Sequence, residues 1–216
     1  MLWRASMRLR VVALCLFVAP WGAPALAEGP PASAPAKTGA EPSQDRQDSR
    51  GKPQARPHGE RVPVQVASMW VDDGDTFTIV WAPGDTEIVR ILGIDTPEIK
   101  HPRHGLPEDQ EWGPEARTYA LGALAFADRV ELLRADRLDP YGRTLGYFFI
   151  NQRNYSVEVI GAHLAEETVS HFGDNGFPDE AKSVLAAAQK AGKPPFEPPY
   201  LFRRRMHDAF RGAGRR

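Results

Sequence analysis

Three short apolar segments in the first half of the chain constrain its fold more than any other feature of the sequence. Residues 64–69 alternate between apolar and polar side chains, which is typical of a strand with one buried face. Residues 76–81 and 86–94 form two further apolar runs, and the sequence Ala-Pro-Gly-Asp at 82–85 is typical of a hairpin turn between them. The pattern therefore predicts a meander of three antiparallel strands.

The second half of the chain adds two strands and about three helices. The strands are expected at 130–133 and 144–150, which are again short apolar runs. The helices are expected from residue 113, with a proline in the first turn, from residue 156, and over residues 179–191. Strands with one inserted helix, followed by more helices, indicate an α+β fold. Five short strands in this order fit a five-stranded OB-fold, which is a Greek-key barrel.

The two ends of the chain differ in composition from the middle. Residues 1–27 contain three arginines, a short apolar run and an Ala-Leu-Ala sequence at 25–27, which is the pattern of a secretory signal peptide. Residues 28–61 are rich in Pro, Ala, Ser and charge, and they predict a disordered linker. Residues 62–197 are left as the folded domain, and residues 198–216 are predicted to be a basic C-terminal tail.

Export has consequences for charge and for cysteine chemistry. The single cysteine, Cys15, lies inside the predicted signal peptide, so the mature chain could form no disulfide bond. Removal of the three arginines would leave 24 basic and 28 acidic residues, a net charge of −4. This favours a local basic site over broad binding of nucleic acid. We expect a periplasmic or secreted monomer with no stable membrane insertion after cleavage, and the alternative is a membrane anchor formed by an uncleaved signal.

Three sequence blocks together supply clustered carboxylates and two arginines, and the two acidic blocks lie at strand ends or in loops. They are Asp-Asp-Gly-Asp-Thr at 72–76, Arg-Ile-Leu-Gly-Ile-Asp-Thr-Pro-Glu at 90–98 and Asp-Pro-Tyr-Gly-Arg at 139–143. Taken singly, each block has a simpler explanation, because Asp-Gly usually marks a turn and a lone Glu98 is usually a solvated surface acid. Together they supply the groups that phosphodiester hydrolysis needs: carboxylates for a metal ion, a further carboxylate as a base, and fixed cations for the phosphate.

From about residue 64 to residue 191 the chain resembles the staphylococcal nuclease (thermonuclease) family. The resemblance depends on these three blocks in this order, together with Lys-His-Pro at 100–102 and Gly-Pro-Glu-Ala at 113–116. It implies an OB-fold barrel that cleaves DNA and RNA with calcium, Ca²⁺, as its cofactor.

The resemblance also implies which residues bind the metal. Asp75 and Asp95 would bind calcium through their side chains, and Thr96 would bind it through its backbone carbonyl. Asp73 would lie behind these ligands and support them. Such a set is chemically reasonable, because calcium prefers oxygen ligands and tolerates water in its remaining positions.

The same resemblance implies a catalytic trio of Arg90, Glu98 and Arg143. Glu98 would accept a proton from the attacking water, and the two arginines would hold phosphate oxygens through paired hydrogen bonds. Tyr141 would contact the phosphate or a base of the substrate, and a role in the core is equally compatible with a tyrosine. His163 departs from the family pattern, since it replaces a glycine that is usual there.

The pattern of a signal peptide and the family resemblance together imply an exported, calcium-dependent endonuclease that hydrolyses phosphodiester bonds of DNA and RNA. The alternative from another class is a noncatalytic barrel in the cell envelope that binds nucleic acid or protein. The presence of all three predicted catalytic residues favours the enzyme.

Overall fold

The computed structural model describes residues 51–213, and this range contains nine strands and five α-helices. The strands are β1 (Arg61–Val64), β2 (Met69–Val71), β3 (Thr76–Ala82), β4 (Asp85–Ile91), β5 (Ile94–Asp95), β6 (Val130–Leu138), β7 (Thr144–Ile150), β8 (Arg153–Asn154) and β9 (Glu166–Glu167). The helices are α1 (Gly113–Ala125), α2 (Tyr155–Gly161), α3 (Val169–Phe172), α4 (Pro178–Ala191) and α5 (Pro199–Ala213).

One curled sheet with the strand order β1-β6-β7-β4-β3-β2 forms the centre of the fold. Neighbouring strands are antiparallel except for β4 and β7, which are parallel, and β8 adds a short pairing to β7. β5 and β9 form a separate two-stranded sheet. The α+β fold and the curled, OB-type sheet that the sequence predicts are confirmed.

The first predicted strand differs in detail, because residues 64–69 change partner along their length. Val64 pairs with Val130 of β6, whereas Met69 pairs with Ile79 of β3. A single 3₁₀ turn at Val66–Ser68 makes the change of direction. The run therefore forms the end of β1 and the start of β2, which are the two edge strands of the curled sheet.

Apolar side chains on the concave side of the sheet pack against the helices. Phe77, Phe148 and Tyr155 meet edge to face, with ring centroids 5.1 and 5.6 Å from Phe77. The helix expected from residue 156 begins at Tyr155, and Asn154 caps it. The Asn154 side chain accepts a hydrogen bond from the backbone of Ser156, whose hydroxyl donates to the carbonyl of Leu92 at 2.8 Å.

A buried polar network lies inside the sheet around Glu87 of β4. Arg134 of β6 donates to both carboxylate oxygens of Glu87, at 2.8 and 2.9 Å. The Thr144 hydroxyl and the Trp81 indole donate to the same carboxylate, at 2.7 and 2.8 Å. Glu87 and Arg134 are both buried, and this network satisfies them within the apolar interior.

Residues 51–61 follow β6 instead of forming part of a disordered linker. Backbone hydrogen bonds join Leu138 to Lys52, Gln54 to Asp136, and Gly59 to Arg134, at 2.8 to 3.0 Å. Their polar composition conceals this order, because backbone pairing rather than apolar burial holds the segment. The rest of the predicted linker, residues 28–50, and the predicted signal peptide lie outside the described residues.

The predicted basic tail is a helix over most of its length. In α5, Phe202 and Met206 lie four positions apart on one face and pack against Leu106 in a small cluster separate from the main core. Burial of such a side chain contributes about 1.5–3 kcal/mol relative to leaving it exposed. The cluster therefore stabilises the contact of α5 with the domain, but it buries far fewer apolar side chains than the main core does. Within residues 51–213, the structure contains no helix long and apolar enough to cross a bilayer.

Candidate active site

The turn between β2 and β3 places a buried carboxylate next to the chain that follows β5. Asp73 accepts a hydrogen bond from the backbone of Asp75 at 3.0 Å, and Tyr155 donates to the carbonyl of Gly74 at 2.7 Å. A Cβ atom at Gly74 would lie 2.8 Å from the Thr96 hydroxyl, so the approach requires glycine. Asp75 is 1% exposed and accepts a hydrogen bond from the backbone of Thr96 at 2.7 Å.

Arg90 of β4 joins the two predicted calcium ligands. Its position opposite Thr76 in the β3–β4 register brings its side chain next to Asp75. One guanidinium nitrogen of Arg90 donates to Asp75 Oδ1, and the other donates to Asp95 Oδ1 at 2.5 Å. Three separate segments, the β2–β3 turn, β4 and β5, therefore converge on one ionic cluster.

Glu98 is held in position by the loop that precedes α1. The Gln110 side chain accepts a hydrogen bond from the Glu98 backbone N–H at 3.1 Å, and the Gln110 N–H donates to the Glu98 carbonyl at 2.9 Å. A Cβ atom at Gly113 would lie only 2.1 Å from that carbonyl, so the first residue of α1 must be glycine. The Glu98 side chain is 13% exposed and lies at the edge of the cluster.

A second arginine also contacts this cluster. It comes from α5, and the sequence did not predict its role. Arg203 Nη1 donates to Asp95 Oδ1 at 3.0 Å and to Glu98 Oε1 at 2.5 Å, and Arg203 Nη2 donates to Asp95 Oδ2 at 2.8 Å. Both carboxylate oxygens of Asp95 thus accept hydrogen bonds from Arg203. Asp95 Oδ1 also accepts a hydrogen bond from Arg90.

Burial and charge together set the protonation of the carboxylates. Burial raises the pKa of Asp75, and the neighbouring Asp73 and Asp95 raise it as well, against the lowering effect of Arg90. Burial likewise raises the pKa of Glu98, with a contribution from Asp75. Burial also acts to raise the pKa of Asp95, but its arginine partners outweigh this effect and lower it overall. The cluster is therefore a place where additional positive charge is favourable.

The third predicted catalytic residue, Arg143, lies in the turn between β6 and β7, directly before β7, and its side chain bonds Asp139 rather than this cluster. Its guanidinium donates to the buried Asp139 at 2.7 Å. Arg143 directly precedes β7, whose first residues, Thr144 and Leu145, lie opposite Val89 and Arg90 of β4. Tyr141 is 85% exposed beside Arg143, which excludes the alternative role in the core.

The predicted metal ligands are oxygen donors, and two of them lie close together. No group of three or more His, Cys, Asp or Glu side chains within the described part of the chain has an arrangement that could hold a metal ion. Asp75 and Asp95 nevertheless converge, since each directs an oxygen at the same guanidinium of Arg90. Carboxylate oxygens and a backbone carbonyl such as that of Thr96 are the ligands that calcium prefers.

The sequence analysis did not assign a role to two residues that contribute to the site, Gln110 and Arg203. No local pattern marks Gln110, because its role depends on the loop folding back onto Glu98, which the sequence does not reveal. Arg203 had a signal, since Phe202, Met206 and Phe210 recur every four residues and predict an amphipathic helix. The Arg-Arg-Arg run at 203–205 and the neighbouring prolines obscured that period.

Comparison with known proteins shows which family the chain resembles. Residues 88–194 match the family model described as staphylococcal nuclease homologue. A thermonuclease of Staphylococcus intermedius is 34% identical over 96 residues, which cover 44% of this chain and 54% of the relative. The chain belongs to the staphylococcal nuclease family. Endonuclease YncB of Bacillus subtilis is 30% identical over 94 residues, 43% of each chain. An uncharacterised protein of Methanocaldococcus jannaschii, MJ1439, is 33% identical over 122 residues, 47% of this chain and 58% of the relative.

This staphylococcal nuclease homologue spans about half the length of the curated relatives it matches. The family match includes Arg90, Asp95, Glu98 and Arg143. It ends at residue 194, so α5 and Arg203 lie outside the matched range.

Proposed function

We propose that this staphylococcal nuclease homologue is an exported, calcium-dependent endonuclease that hydrolyses phosphodiester bonds of DNA and RNA. The observation that carries the proposal is the convergence of Asp75 and Asp95 on Arg90, with Glu98 joined to Asp95 through Arg203. The thermonuclease and endonuclease names of its relatives support the reaction class. Export is inferred from the pattern of residues 1–27, and a periplasmic or secreted monomer remains our expectation.

Each residue of the cluster has a separate task in this proposal. Asp75, Asp95 and the carbonyl of Thr96 would hold calcium, and Asp73 would support Asp75 through its backbone. Bound calcium would supply positive charge against the phosphate and a place for the attacking water. Glu98 would accept a proton from that water, for which its partly buried position and raised pKa are suitable.

The two arginines would bind the substrate phosphate. Arg90 is fixed by the cluster and presents a planar, permanently charged group at its centre. Arg143 would turn from Asp139 toward the phosphate, since it directly precedes the strand that pairs with β4 and its side chain is 30% exposed. Tyr141 is positioned at the surface beside it for contact with a base or a phosphate.

Cleavage assays on single-stranded DNA and on RNA, with calcium or with a chelator, test this function. We expect cleavage of both substrates with calcium and loss of cleavage in chelator. Full activity in chelator would contradict the metal site. Binding of nucleic acid without any cleavage would instead support the noncatalytic barrel as the function.

A further inference from the structure

Arg203 makes contacts that conflict with the proposed roles of its partners. It donates to both oxygens of Asp95 and to one oxygen of Glu98. Asp95 is a proposed calcium ligand and Glu98 is the proposed base. A guanidinium that donates to both oxygens of a carboxylate occupies one lone pair on each oxygen, and its positive charge repels a cation at the same carboxylate. The Arg203 charge therefore lies where the positive charge of the metal is needed.

Outside the ionic cluster, α5 is held by a small apolar cluster and by a contact of 3.1 Å between His207 Nε2 and the carbonyl of His104. Its apolar contact is the cluster of Phe202, Met206 and Leu106, which is separate from the main core. The polar contact before the helix is a hydrogen bond of 2.5 Å from the Gln110 side chain to the carbonyl of Glu197. Segments held by few buried apolar contacts open at lower free-energy cost than the core of a domain.

We propose that α5 is an autoinhibitory helix, in which Arg203 competes with calcium for Asp95 and occupies the catalytic base Glu98. The inference rests on the proposed function, because it needs Asp95 as a ligand and Glu98 as a base. Calcium and the docked helix exclude each other, so each weakens the binding of the other by the same factor. The enzyme is then active only in molecules from which α5 has moved away.

The alternative role for Arg203 is that of a further arginine for the phosphate. Arg203 differs from Arg90 in two respects: it also bonds Glu98, the proposed base, and it comes from a helix whose apolar contact is a small cluster separate from the main core. The two roles also predict opposite results. Loss of an inhibitory arginine increases calcium affinity, whereas loss of a phosphate-binding arginine reduces turnover and leaves calcium affinity unchanged.

Calorimetric titration of calcium into the full chain and its Arg203→Ala variant is the central experiment. Arg204→Ala is the matched control, because it removes the same charge from an exposed position of the same helix. We expect Arg203→Ala to bind calcium about tenfold more tightly than the wild type, which corresponds to a helix docked in about nine molecules of ten. Arg204→Ala should bind calcium like the wild type.

A second variant releases the helix without changing any residue of the site. Met206→Asp places a charge in the small apolar cluster and should weaken docking of α5. We expect the same gain in calcium affinity as for Arg203→Ala. In the wild type, hydrogen exchange at the α5 amides should become faster when calcium is added, while exchange in α4 should not.

The outcomes separate this inference from the proposed function when nuclease assays are run on the same samples. Equal calcium affinity of the wild type, Arg203→Ala and Met206→Asp, with cleavage by all three, would overturn autoinhibition and leave the nuclease function intact. Reduced turnover of Arg203→Ala at unchanged calcium affinity would overturn it in favour of a phosphate-binding role. Tighter calcium binding by both variants without cleavage by any sample would support the competition and overturn the nuclease function.

Discussion

Asp95 and Glu98 lie three residues apart in the chain, contact the same arginine of α5, and are expected to do different work. Glu98→Gln keeps the size of the side chain and an acceptor oxygen but removes the basic carboxylate. We expect turnover to fall by roughly 10²–10⁴ with calcium affinity retained, because general base catalysis is lost and the ligands remain. Asp95→Ala should instead weaken calcium binding. Single-turnover kinetics and calorimetry on both variants check this division, and calcium loss in Glu98→Gln alone would make Glu98 a ligand.

Single residues could be predicted where the local sequence carries their chemistry. The convergence of Asp75, Asp95 and Glu98 follows from motifs at strand ends. The contact from Arg203 could not be derived in the same way, because it joins residues more than a hundred positions apart through the docking of a helix. For His163 the structure explains a feature that the sequence only noted. Its φ of +58° lies in the left-handed region, which explains why glycine is usual at this position.

At the scale of elements, the pair of Glu87 and Arg134 ties three neighbouring strands of the sheet together. Arg134→Met should destabilise the folded domain by about 3–5 kcal/mol, because it leaves the Glu87 carboxylate buried without its charged partner. Glu87→Gln combined with Arg134→Met should recover part of that loss. Urea unfolding of the single and double variants measures both effects. Equal midpoints for the wild type and Arg134→Met would contradict the prediction.

The same network makes a contribution that depends on pH. Burial acts to raise the pKa of Glu87, but the hydrogen bonds from Arg134 and Thr144 outweigh it and lower the pKa. A carboxyl group whose pKa is lower in the folded state stabilises the fold above its unfolded pKa, and this contribution is lost as the pH falls through the folded pKa. We expect the free energy of unfolding to fall less steeply on acidification below about pH 4.3 in Glu87→Gln than in the wild type. If the free energy of unfolding fell equally steeply with pH in both proteins, the prediction would be contradicted.

Elements with a clear period were predictable, and those held by other means were not. The helices α1 and α4 and the strands β3, β4 and β7 follow their apolar patterns. The very short β5, β8 and β9 depend on pairing with distant residues that no local period reveals. The sequence of α5 has a helical period, but its prolines and arginines favoured a tail.

At the scale of the whole molecule, the folded domain begins before the predicted boundary at residue 62. Gln54 donates to Thr144 at 3.0 Å from a buried position, and Arg56 contacts Asp85 and lies 3.6 Å from Glu87. A chain that starts at residue 62 should therefore be at least about 1 kcal/mol less stable than one that starts at residue 51, since it loses several hydrogen bonds. Urea unfolding of both chains tests this, with Gln54→Ala in the longer chain as a control. Equal stability would mean that the segment is only superficially attached.

The parallel pair of β4 and β7 also has a kinetic consequence. β2, β3 and β4 pair with their neighbours in the chain, so this part of the sheet can assemble as soon as it is synthesised. β7 can reach β4 only after the intervening residues 92–143 are in place, and β1 must wait for β6 in the same way. Because closing such long loops is entropically slow, we expect the arrival of the β6–β7 hairpin to limit the rate of folding.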